Sequence, residues 1–150
     1  MSLFGASSPQ TRHSEAIARF SALGEHGAVW FLIAAVGAIA KPSRRPEYTR
    51  AARTVAAAYV ANQAIKVVVR RRRPPQEGRR TRTFSDLSYP SAHAATSVAG
   101  ARSLSETLPT GPLWALAAGL ALSRLYLGVH HPTDTLAGAA LGAAVAELTR

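Results

Sequence analysis

The chain has 150 residues and no cysteine, and its 18 Lys and Arg against 8 Asp and Glu give a formal net charge of +10. That length fits one domain, and the absence of thiols excludes disulfides, thiol nucleophiles and thiolate-held metals. So large a positive charge calls for a polyanionic partner: nucleic acid, an anionic membrane surface or a phosphorylated substrate.

Residues 1–13 read as a polar tail with no apolar core of a signal peptide. A first helix is expected over about 14–40, ended by the two prolines of KPSRRP. A second runs over about 48–69. The stretch RRPPQEGRRTRTFSDLSYP that follows is proline, glycine and charge, which predicts a loop. A third helix opens at Ser91 and closes before LPTGP, a fourth covers about 112–127, and GVHHP separates it from a fifth over 132–148. RTRTFSDL alternates weakly but reads better as loop than strand. The expected fold class is therefore all-α, a bundle of about five helices, with residues 14–150 forming one domain.

The least charged stretches, 27–40, 54–65, 107–123 and 135–146, are each shorter than the ~18 apolar residues that mark a membrane span on their own. Composition alone leaves a soluble helical domain open. Three features favour the bilayer. The helices are apolar nearly all round, small residues dominate as they do where membrane helices pack closely, and arginines sit at the segment ends, where they can snorkel. If all five helices cross, the start of the first, the end of the second, the start of the third, the end of the fourth and the start of the fifth share one side. Every polar cluster of interest falls there, which marks a site.

Three clusters carry chemistry. In KVVVRRRRP a continuing helix puts Lys66, Arg70 and Arg73 near one face, where three cations suit a tetrahedral oxyanion. On the same reasoning Arg71 and Arg72 point to headgroups or water. No aromatics interleave these arginines, which argues against nucleic acid. In YPSAHAAT, Ser91 is a good N-cap, and the first N–H groups of the new helix, at Ala92 and His93, could hold an anion beside the Ser91 hydroxyl. His93 is a candidate proton donor. In SRLYLGVHHPTD, His130 and Asp134 are four apart, which lets a carboxylate orient an imidazole and leave its other nitrogen free to attack. Arg124, about two turns before His130, could add a further fork. Zinc held by His93, His130, His131 and Asp134 is the rival reading, opposed by the surplus of arginine, since neighbouring cations repel a metal. No carboxylate cluster indicates a two-metal site.

At this point the sequence resembles a known family. Lys66-x6-Arg73-Pro74, Pro90-Ser91-Ala92-His93 and Ser123-Arg124-x5-His130-x3-Asp134 match, in order, the three motifs of the type 2 phosphatidic acid phosphatases, the PAP2 superfamily. One departure is Ala92, where the family usually has glycine; alanine keeps the N–H. The family core has about six helices, against the five expected here. The resemblance implies metal-free hydrolysis with no cofactor. Lys66, Arg73, Arg124, Ser91 and the backbone of Ala92 and His93 would hold phosphate, His130 would attack, Asp134 would orient it and His93 would serve the leaving group. It implies a multi-pass protein of the inner (plasma) membrane acting on a phosphorylated lipid. The alanine- and arginine-rich composition resembles that of high-GC actinobacterial proteins, where the family's small members point to decaprenylphosphoryl-5-phosphoribose. A polyprenyl diphosphate and phosphatidic or phosphatidylglycerol phosphate are the alternatives, and a non-catalytic membrane scaffold is the second class.

Overall fold

A computed structural model describes residues 9–75, 78–83 and 85–150. Among them lie six α-helices: α1 (Pro9–Ala22), α2 (Ala28–Ala40), α3 (Arg45–Val69), α4 (Ala92–Leu104), α5 (Thr110–Tyr126) and α6 (Pro132–Leu148). The bundle is all-α, as expected. The sixth helix comes from a break in what the sequence presents as one. His26 and Gly27 take positive φ, 51° and 78°, and divide the expected first helix into α1 and α2. The break turns the end of α1, rather than its beginning, toward the site. The helix also starts at Pro9, five residues before the expected boundary.

The other boundaries follow their local signals. α3 begins with a proline in its first turn and Glu47 beside it, where an acidic group suits the helix dipole. It stops where Arg70 turns left-handed at φ 53°. α4 is capped by Ser91, whose side chain accepts from the Ala94 N–H. α6 starts at Pro132, with the Asp134 carboxylate accepting from the His131 N–H at 2.8 Å.

α4 is the central helix, buried along most of its length against α3, α5 and α6. Its alanines and glycine let the neighbours come close. A Cβ on Gly142 of α6 would stand 2.2 Å from the Ala95 carbonyl, and one on Gly100 would run into the Trp30 ring at 2.5 Å. Here the small residues set helix spacing, as close membrane packing requires. The core proper joins Trp30, Ala34, Tyr48, Val55, Leu104 and Leu120, and Trp30 donates its indole N–H to Ser97 at 3.2 Å.

The outer faces are apolar: Ile39, Leu136, Val60, Leu32 and Leu122 are all more than half exposed. The run Arg12–Ala40, taken across the break, is long and apolar enough to cross a membrane. At the end away from the site, ion pairs join Arg50 to Glu106 and Arg102 to Glu147.

Candidate active site

The segment after α3 folds back over the end of the bundle. It is held by an isolated antiparallel bridge between Arg72 and Leu87, by bonds from the Arg73 N–H to Asp86 and the Ser88 N–H to Arg71, and by Arg80, which donates to the Tyr126 carbonyl and lies over its ring. Gly128 permits this closure, because its φ is 68° and a Cβ there would meet the Gly78 carbonyl oxygen at 2.4 Å.

Beneath this cover is a cavity of about 280 Å³ that brings together Lys66, Arg73, Ala92, His93, Arg124 and His130. Six of the expected positions from three separate motifs thus share one space. Ala92 is the first residue of α4, so its dihedrals are helical and its N–H lies at the positive end of the helix.

Arg73 reaches the cavity by a different route from the one expected. α3 has already ended, so Lys66, Arg70 and Arg73 do not share a helical face. Arg73 lies in the covering segment, where it donates to the carbonyls of Ser85 at 2.8 Å and Val129 at 2.7 Å. Its Nη1 also lies 3.0 Å from His130 Nε2. A guanidinium only donates, so Nε2 is the acceptor and the ring proton sits on Nδ1. Arg70 is exposed and does not line this cavity. Burial first, then the charges of Arg73, Arg124, Lys66 and His93, push the His130 pKa well below the ordinary imidazole value. Burial, followed by Arg124, also lowers that of Arg73, to about 10.

Asp134 is completely buried and lies behind His130, its Oδ2 at 3.7 Å from Nδ1. That is ion-pair distance, too long for the hydrogen bond expected from the i, i+4 spacing. Both carboxylate oxygens already have donors, the His131 N–H on Oδ2 and Arg71 Nη1 on Oδ1 at 2.9 Å. Arg71 also donates to Thr133 at 2.7 Å. It therefore turns inward, contrary to the expectation that it would face headgroups. Arg72 is exposed as expected. Ser91 departs too: its hydroxyl is buried, caps α4 and does not line the cavity. The Ser91 N–H instead donates to the Asp134 carbonyl at 2.9 Å, tying the start of α4 to that of α6.

Sequence reasoning missed Ser21. Its carbonyl lies 3.0 Å from His93 Nε2, and its hydroxyl accepts from Arg124 at 2.9 Å. A carbonyl only accepts, so His93 carries its proton on Nε2. Among the described residues no three His, Asp or Glu side chains are grouped as metal ligands.

An all-helical bundle that gathers cations, a helix N-terminus and two histidines around one small cavity is built to handle a phosphate group. Comparison with known proteins carries this further. The sequence pattern of the PAP2 superfamily matches residues 47–150, and the chain belongs to that superfamily. It is 42% identical over 120 residues to the decaprenylphosphoryl-5-phosphoribose phosphatase of Mycolicibacterium smegmatis, covering 79% of this chain and 67% of that one. With the protein of the same name from Mycobacterium tuberculosis it is 41% identical over 127 residues, or 83% and 72% of the two chains. Its fold matches that of a transmembrane PAP2-type phosphatidylglycerolphosphate phosphatase from Bacillus subtilis with a TM-score of 0.75. That match covers 96% of this chain and 77% of that one at 22% identity. The chain is accordingly a phosphatase of the lipid phosphate class.

Proposed function

We propose that residues 14–150 form a multi-pass enzyme of the inner (plasma) membrane, preceded by the polar segment 1–13. It hydrolyses the terminal phosphate of a polyprenyl-linked sugar phosphate without a metal. The observation that carries this is the meeting of Lys66, Arg73 and Arg124 with His130 Nε2 in one cavity. In the first step the three cations and the N–H groups of Ala92 and His93 hold the phosphate oxygens, and Arg73 exchanges its bond to His130 for one to phosphate. The Nε2 lone pair attacks phosphorus and the P–O bond to the leaving alcohol breaks, while His93, entering the step as the imidazolium with its Nε2–H still on the Ser21 carbonyl, gives its Nδ1 proton to that oxygen. In the second step water attacks the phosphohistidine, the P–N bond breaks, and His93 takes up the water's proton. Fixed cations matched to charge that builds on the transferring group supply the stabilisation.

The substrate class rests on the names of the two mycobacterial relatives and on the apolar outer faces, which keep a prenyl tail in the bilayer while its phosphate enters the cavity. The tail adds apolar area that a water-soluble ester lacks. The test is phosphate release from decaprenylphosphoryl-5-phosphoribose, a polyprenyl diphosphate and phosphatidylglycerol phosphate in matched micelles, with p-nitrophenyl phosphate alongside, each with and without EDTA. The expected result is a kcat/KM at least ~100-fold higher for the phosphosugar lipid than for the soluble ester, unchanged by EDTA. A clear preference for the diphosphate would move the assignment to carrier recycling. No phosphate release from any substrate would leave a scaffold.

A further inference from the structure

The cavity lining holds two kinds of polar group. Lys66, Arg73 and Arg124 are cations, and they are joined there by Glu25, His26, Tyr59 and Gln63. Among the described residues Glu25 is the one acidic group in the lining. Its carboxylate offsets part of the Arg124 charge, and the acceptor capacity that remains suits an uncharged part of the substrate that presents hydrogen-bond donors.

From this division we propose that Glu25, His26, Tyr59 and Gln63 form a subsite for the leaving alcohol and select one that carries free hydroxyls, as a sugar does. The inference rests on the phosphatase reading above. The spacing along α3 supports it. Tyr59, Gln63 and Lys66 recur at i, i+4 and i+7, and so fall on one face of the helix. The rise of the helix separates Tyr59 from Lys66 by roughly 10 Å, which leaves room for a sugar ring beyond a phosphate held at Lys66. The break before α2 supplies the opposite wall. His26 is held at φ 51°, a conformation costly for a residue with a Cβ. The following Gly27 fits closely, because a Cβ there would come within 2.9 Å of Val55. This backbone brings His26 Nδ1 to 2.8 Å from the Tyr59 hydroxyl, with the two rings edge to face. A strained backbone that locks two aromatic groups at the wall of a reaction cavity is a positioning device.

The chemistry of the four groups is complementary to a polyol. A carboxylate accepts hydroxyl protons, an amide both donates and accepts, and a phenol paired with an imidazole presents a fixed oxygen. The aromatic faces suit the C–H surface of a sugar ring. A site built to hydrogen-bond hydroxyls discriminates strongly against an analogue that lacks them, because its own polar groups are then left unpaired.

The test compares two lipid substrates with the same polyprenyl tail, a phosphorylated pentose and its 2,3-dideoxy analogue. The wild-type protein should favour the hydroxylated substrate by at least ~10-fold in kcat/KM. The Tyr59→Phe and Glu25→Gln variants should each reduce that ratio several-fold, whatever their absolute rates. A wild-type ratio near one overturns the subsite, and this arm does not depend on any variant folding. A ratio unchanged in both variants also overturns it. Failure to hydrolyse either lipid would instead sink the phosphatase reading on which the subsite stands.

Discussion

His130→Ala should abolish phosphate release, with a loss on the order of 10⁵-fold or more, because the proposed mechanism makes its Nε2 the nucleophile. Removing a nucleophile costs on that scale in other hydrolases. The same variant should fail to accumulate a labelled phosphoenzyme in a quenched-flow experiment, while the wild type traps acid-labile, alkali-stable label. Label that survives in His130→Ala would mean that another residue is the nucleophile. The pH profile adds an independent check. Burial and the surrounding cations lower the His130 pKa, so the neutral ring, with its lone pair available, dominates throughout the ordinary working range. The acid limb of kcat/KM should therefore follow the second ionisation of the substrate phosphate, near ~6, and should move when a substrate with a different second pKa is used. A limb fixed near the ordinary imidazole value, whatever the substrate, would place the titration on the enzyme.

The motif positions were legible because their spacing is written in the chain: Lys66, Arg73, Ala92, His93, Arg124 and His130 all line one cavity. The helices from α3 onward were legible through prolines, caps and apolar runs. What escaped was set by backbone conformations that carry no strong local mark. His26 is not a residue expected at φ 51°, so one helix was read where two exist. Arg70 likewise ends α3 in a left-handed turn, although a run of four arginines reads as helix continuing. That single turn sends Arg73 into the covering segment, aims Arg71 at Asp134 and leaves Arg70 exposed. Ser21 escaped because it contributes through a carbonyl as well as a hydroxyl, and a backbone acceptor has no signature in sequence. Ser91 is expected at the phosphate for its hydroxyl, and in the structure that oxygen accepts from the Ala94 N–H as the cap of α4, which leaves its own proton to donate.

Asp134→Asn should lower kcat on the order of 10³-fold while leaving the protein folded, and Arg71→Ala should reproduce part of that loss through the same carboxylate. Asp134 is fully buried and holds the region together with three groups: Arg71 on one oxygen, the His131 N–H on the other, and the His130 ring at ion-pair distance. In the proposed mechanism positive charge develops on His130 as phosphorus transfers, and the carboxylate offsets it. An orienting aspartate in a hydrolase triad is worth ~10⁴-fold, and the smaller effect expected here reflects the 3.7 Å separation. Among the described residues Arg71 does not line the cavity; it is a positioning residue, acting through Asp134. Its loss strands a buried carboxylate, a change that is strongly destabilising when both partners are buried. Because the Arg71 side chain is itself 39% exposed, water partly replaces it, and a cost nearer ~1–2 kcal/mol is expected. The decisive measurement is the double-mutant cycle on kcat. If Arg71 works through Asp134, the pair Arg71→Ala/Asp134→Asn should be no slower than Asp134→Asn alone. Arg71→Lys should keep part of the activity that Arg71→Ala loses, since it retains the charge but lacks the planar fork that spans Asp134 and Thr133. Additive losses in the cycle would instead assign Arg71 a direct contact with substrate.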